Sequence, residues 1–205
     1  MSNSYHILWI DDEWEEMTSF QKYCKLHYNM ELTPFKTQKE GLDTYAKNPT
    51  FWEAVILDAK VLNESEQEVA SVAGLQNAVL RIKEEFKELP YFISTGQPDL
   101  LSDNTFKSFF PVFYEKEVDD EKLCDDIIQT INEQPNRIIK NKYPEIFSSL
   151  EGTIADEVLS IIKIYENREF ANADTFNKVR KVLDWIMSNL YDYGLLAIKF
   201  NGTNL

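Results

Sequence analysis

The spacing of apolar residues switches repeatedly between two periods along the first two thirds of the chain. Residues 5–10 form a short apolar strand that runs straight into Asp11-Asp12-Glu13. Residues 14–26 then carry Met17, Phe20, Tyr23 and Cys24 at helical spacing. Residues 30–35 alternate and predict a second strand. Residues 38–47 predict a helix with Leu42, Tyr45 and Ala46 inward, ended by Asn48-Pro49. The strand at 53–57 holds an unbroken apolar run, Ala54 to Leu57, closed by Asp58, the pattern of a strand buried on both faces. A helix over 74–86 follows, through Leu75, Val79, Ile82 and Phe86. Pro90 opens a fourth strand at 91–95, ending in Ser94-Thr95-Gly96. A short helix at 100–109 precedes Pro111, which opens a fifth strand at 112–116 ending in Lys116. Residues 119–133 predict a helix with Leu123, Ile127, Ile128 and Ile131 on one face.

Strand and helix therefore alternate five times, which implies a parallel sheet covered on both sides. Right-handed crossovers bring every strand's carboxyl end to one edge. Asp11 and Asp12, Asp58, Thr95 and Lys116 each stand at such an end, where open α/β sheets carry their sites. The set suits phosphoryl chemistry. Asp58 can act as a carboxylate nucleophile. Asp11 and Asp12 can hold Mg²⁺. Thr95 and Lys116 can each bind a phosphoryl oxygen. Plainer roles exist for the same residues: Asp58 as a turn or helix cap, and Glu13, Glu15 and Glu16 as an acidic first helical turn. Ser94 is the alternative hydroxyl, and strand alternation points it away from Thr95.

Charge divides the chain. The net charge of −14 lies wholly in residues 1–133, with 12 Lys/Arg against 26 Asp/Glu, while residues 134–205 hold nine of each. An acidic first part argues against nonspecific binding to a phosphate backbone. Cys24 and Cys124 sit at apolar-leaning helical positions, so neither a disulfide framework nor a metal site is expected, and a reducing compartment fits. His6 and His27 lack companions at ligand spacing. No basic, apolar leader opens the chain and no run reaches membrane-spanning length. A cytoplasmic protein without membrane contact is expected.

Residues 1–133 resemble a response-regulator receiver (CheY-like) domain of two-component signalling. The resemblance rests on residues 7–13 with Asp11-Asp12-Glu13, residues 55–58 ending in Asp58, Gly74-Leu75, residues 90–96 ending in Thr95-Gly96, and Phe113-Tyr114-Glu115-Lys116. It implies a flavodoxin-like α/β fold, a five-stranded parallel sheet in the order 2-1-3-4-5 with helices on both faces. It implies that Asp58 accepts a phosphoryl group from a histidine kinase or phosphotransfer protein. It implies Mg²⁺ on Asp11, Asp12, Asp58 and the Lys60 backbone carbonyl. Thr95 and Phe113 would be the switching residues, and residues 100–133 would present the signalling face. Such a protein is a switch rather than a turnover enzyme. Three features depart from the family pattern. The segment from Asp58 to Gly74 is about eight residues longer than usual and acidic through Glu64, Glu66 and Glu68, and is read as a surface insertion. Glu117 replaces the usual proline after Lys116, so that peptide is either a non-proline cis bond or relaxed to trans. Lys60 and Gln97 occupy the positions that flank the attacking water and tune the lifetime of the phosphoryl group.

Residues 134–205 match no family and predict a small all-α region. Helices are expected at 137–143 and 154–165, the latter through Ile154, Val158, Ile161, Ile162 and Tyr165. A long helix capped by Asp174 or Thr175 carries Phe176, Val179, Val182, Leu183, Ile186, Leu190 and Tyr193, and an apolar tail follows at 195–200. The cluster of Lys178, Arg180 and Lys181 is flanked by Asp174 and Asp184, as on a solvated face, so DNA is not an expected partner. Protein contacts are expected instead: with a downstream target, with a second copy as a homodimer, or as a lid on the signalling face. Three other functions stay open: a degenerate receiver acting as a scaffold, a DNA-binding regulator through residues 134–205, and a Mg²⁺-dependent phosphohydrolase. The last usually needs an aspartate where Lys60 stands.

Overall fold

A computed structural model describes residues 4–64, 71–150, 152–169 and 172–196. The chain divides into two compact units, residues 1–133 and 134–205.

The first unit is a parallel sheet of five strands: β1 (Tyr5–Ile10), β2 (Met30–Phe35), β3 (Ala54–Asp58), β4 (Tyr91–Thr95) and β5 (Tyr114–Glu115). Their order is β2-β1-β3-β4-β5, the expected flavodoxin-like arrangement. A 3₁₀ turn (Trp14–Met17) leads into α1 (Thr18–Tyr28). There follow α2 (Gln38–Lys47), α3 (Val72–Glu85), α4 (Pro98–Ser102), α5 (Asn104–Phe109) and α6 (Asp120–Asn132). Alternate residues of the central strands feed two cores. Leu8, Ile10, Val55, Leu57 and Ile93 pack with Leu42, Leu75, Val79, Ile82 and Phe106. Ile7, Trp9, Ala54, Ile56 and Phe92 pack with Phe20, Cys24, Leu123 and Ile127. Every residue of β3 is buried, as an apolar run between two helical layers requires.

Three local expectations are corrected. Ala46 is exposed, because the inward face of α2 runs through Gln38, Gly41, Leu42 and Tyr45 and leaves Ala46 a further 100° round the helix. The helix at 100–109 is two helices: Asp103 is extended and its carboxylate accepts from Thr105 N at 2.7 Å, restarting the helix. The fifth strand pairs only through Tyr114 and Glu115, against Ser94 and Thr95. Val112 lies outside the ladder and is exposed.

The segment after β3 is tied down at its stem. Val61 and Leu62 are buried, Val61 bridges Ser71, and Leu62 bridges Thr37. Gln38 N donates to Leu62 O at 2.9 Å, and Gln38 Nε2 to Asn63 Oδ1 at 2.5 Å. A Cβ at Gly74 would stand 2.1 Å from the Val61 carbonyl oxygen, so only glycine fits there. The expected surface insertion thus has a buried, hydrogen-bonded stem. Glu64 is exposed near Lys39 at 3.7 Å, and Glu66 and Glu68 lie outside the described residues.

The second unit holds α7 (Pro135–Lys142), α8 (Pro144–Phe147), α9 (Gly152–Glu166) and α10 (Ala173–Asp192). Its core is small: Ile139, Phe147 and Leu159, with Tyr143, Ala155, Val158 and Ile162 against them. Glu157 and Leu159 are the buried residues of α9, whereas Ile154 and Ile161 are half-buried and Tyr165 is exposed. The cap of α10 is Asn172, not Asp174 or Thr175. Asn172 Oδ1 accepts from Thr175 N at 3.0 Å and Thr175 Oγ1 accepts from Asn172 N at 3.3 Å, a reciprocal capping box. The tail expected at 195–200 falls, from 197 onward, outside the described residues. Among the described residues no helix is long and apolar enough to cross a membrane.

Candidate functional site

Asp11 follows β1 directly, and its backbone N–H continues the ladder to Phe35 O at 2.9 Å. Asp58 is the last residue of β3. Both carboxylates are almost wholly buried, at 1% and 5% exposure. Two buried carboxylates at one sheet edge need a cation between them. Lys116 supplies it. Its Nζ lies 2.8 Å from Asp11 Oδ2 and 2.6 Å from Asp58 Oδ1. Lys116 is placed by its own backbone, whose N–H donates to Thr95 O at 3.0 Å. The other Asp58 oxygen accepts from Lys60 N at 2.7 Å, and Asp11 Oδ1 accepts from Glu13 N at 3.0 Å.

The electrostatics follow from burial. Desolvation pushes the Asp58 carboxyl up to about 6; Lys116 opposes this and Asp11 adds to it. Asp12, half-buried beside Asp11, is raised first by burial, although a backbone hydrogen bond opposes the rise. Burial alone would lower Lys116, but Asp58 and Asp11 outweigh it and hold the ammonium above its usual range. Among the described residues no three carboxylates, imidazoles or thiolates close into a ready-made metal cage. The donors expected for a metal, the carboxylates of Asp11, Asp12 and Asp58 and the Lys60 carbonyl, are all oxygens, the chemistry a hard divalent cation takes. A bound ion would share Asp11 and Asp58 with the Lys116 ammonium.

Thr95 is fully buried at the end of β4, and its Oγ1 accepts from Gln97 N at 3.1 Å. Ser94, also buried, is the register partner of Asp58, and Thr95 stands one step further along the edge. Phe113 packs edge-on against Phe106 with ring centroids 5.4 Å apart. Tyr114 is buried and donates to Asp126 Oδ2 at 2.7 Å. The Lys116–Glu117 bond is trans. Without proline a cis bond would cost roughly 3 kcal/mol. The turn is made by Glu117 in the left-handed region at φ 66°, with its N–H donating to Asp120 Oδ1 at 3.1 Å.

One feature escaped the sequence. Lys60 Nζ reaches across the mouth of the site to Gln97 Oε1 at 3.1 Å and Asp99 Oδ2 at 3.2 Å. Asp99 is held below the usual carboxylate range by that ammonium. Its position in the first turn behind Pro98 was the available signal.

No family model matches the chain, and no curated protein matches it. Several solved structures are similar in fold. A response regulator receiver domain protein from Clostridium thermocellum is 23% identical, covers 62% of this chain and 94% of its own, and has a TM-score of 0.47. A CheY-like receiver domain protein from Methanospirillum hungatei is 20% identical over 64% of this chain and 96% of its own, with a TM-score of 0.45. The receiver domain of an HD domain-containing protein from Pseudomonas fluorescens is 16% identical over 70% and 96%, with a TM-score of 0.48.

Proposed function

We propose that residues 1–133 form a phosphoryl-accepting signalling switch of the receiver type, with Asp58 as the acceptor. The observation that carries this reading is the Lys116 ammonium set between Asp58 and Asp11 at the carboxyl edge of the sheet. With its carboxyl at about 6, Asp58 is mainly ionised at neutral pH and can act as nucleophile. An Asp58 oxygen bonds to the phosphorus of a phosphohistidine on a kinase or phosphotransfer protein. The phosphorus–nitrogen bond breaks, its electron pair stays on the imidazole, and that nitrogen takes up a proton. Lys116 meets the charge that builds on the phosphoryl oxygens. Mg²⁺, held by Asp11, Asp12, Asp58 and the Lys60 carbonyl, would neutralise the remaining phosphoryl charge. Thr95 would turn its hydroxyl from the Gln97 loop toward the new phosphoryl group, and Phe113 would follow inward against Phe106. The signal would leave through protein contacts of α4, α5, β5 and α6 and of the helical second unit. The chain works as a switch rather than a turnover enzyme.

Beryllofluoride, a phosphoryl mimic, tests this without a cognate donor. Mg²⁺ with beryllofluoride is expected to raise the melting temperature by several degrees, as ligand linkage requires. Asp58→Asn is expected to abolish the rise. A wild-type melt that Mg²⁺ and beryllofluoride leave unmoved favours a scaffold that never takes phosphate.

A further inference from the structure

The second unit carries a pattern that its own core does not use. Along α10, Phe176, Val179, Leu183, Ile186, Leu190 and Tyr193 follow at steps of 3, 4, 3, 4 and 3 residues. That spacing averages close to 3.5, the narrow seam of a helix lying lengthwise on other helices. A helix resting on a globular core carries a wider stripe of period 3.6. Among the described residues the core that α9 shares holds no seam residue of α10. α9 meets α10 through Lys178 to Ser160 at 2.9 Å and Lys181 to Glu157 at 2.5 Å. These belong to a different face of the helix. Among the described residues the seam stays largely open: Phe176 is 66% exposed, Leu183 53%, Ile186 40%, Val179 37% and the cap residue Tyr193 80%, and Leu190 is half-buried. On the α9 face that meets α10, Ile161 and Ile164 are also only half-buried.

We propose that a second copy of this chain covers the seam, so that two α9–α10 hairpins associate as a four-helix layer about a two-fold axis. Three observations choose this occupant. A 3-4 repeat is complementary to another helix of the same repeat, which a second copy always supplies. The seam leaves on the order of 500 Å² of apolar surface open per copy, and two copies would bury about 1,000 Å², the lower bound for a specific interface. Residues 134–205 hold nine Lys/Arg and nine Asp/Glu, so two copies of this unit meet without net repulsion, unlike two copies of the acidic first unit. Of the flanking positions 175, 180, 182, 187 and 189, only Arg180 is charged, and little there would select an acidic or basic partner.

Sedimentation equilibrium of the full chain tests this at on the order of 100 µM. The wild type is expected at twice the 24.0 kDa of one chain. Leu183→Glu combined with Ile186→Glu is expected at the single-chain mass with an unchanged helical far-UV signal. Should that variant lose its helical signal, Phe176→Ser with Leu183→Ser is expected to give the same fall in mass while folded. A wild type that sediments as one chain overturns the proposal. If these variants also melt earlier, the chain itself covers the seam. A dimer that survives both variants overturns it too, by placing the interface elsewhere.

Discussion

Asp58 is the residue on which the site turns, and its burial makes a prediction that needs no phosphate. Burial pushes its carboxyl up to about 6, above its ordinary value of 3.8. A carboxylate raised in the folded state weakens folding wherever it is ionised, and the penalty withdraws as pH falls through the folded value. Asp58→Asn is therefore expected to stabilise the chain, in chelator at pH 7.5, by on the order of 2 kcal/mol. The advantage should fade between pH 6 and 4. Urea midpoints at the two ends of that range measure it. The residues themselves were legible because Asp11, Asp58, Thr95 and Lys116 each close a hydrophobic run. The cation between Asp11 and Asp58 was not, because no spacing shows that one lysine, 105 positions from Asp11, reaches both carboxylates. Cys24 and Cys124 make the same point: their sulfurs lie 3.6 Å apart in the core, yet nothing in either helix announces it.

At the scale of elements, legibility tracked burial. β1, β3 and β4 are mostly apolar and buried and fell where the pattern put them. β5 lies at the sheet edge and pairs through two residues, so its apolar run overstated the strand. The split between α4 and α5 rests on one aspartate whose carboxylate competes for a backbone N–H, a choice that periodicity does not record. In the second unit the stripe on α9 misled because a core this small buries only part of it. The segment after β3 gives the sharpest element-scale test. Gly74 touches the Val61 carbonyl so closely that any side chain must displace the stem. Gly74→Ala is expected to destabilise the first unit by about 1–3 kcal/mol and to weaken the Mg²⁺ response, because the stem begins at Val61, directly after Lys60. Denaturant midpoints and a Mg²⁺ titration report both effects.

At the scale of the whole molecule, charge and surface separate two kinds of work. The first unit carries all of the net charge of −14 and buries Asp11, Asp58 and Lys116 together at one sheet edge. The second is neutral, thinly cored and openly apolar along α10. That division fits a unit that handles phosphoryl chemistry joined to one that handles protein contacts. The central claim is that Asp58 accepts a phosphoryl group. Intact-mass spectrometry after incubation with acetyl phosphate and Mg²⁺, beside a purified phosphohistidine donor, tests it most directly. One added phosphoryl group on the wild type, absent in Asp58→Asn and in chelator, is the predicted result. No adduct from either donor, or an equal adduct on Asp58→Asn, would contradict it.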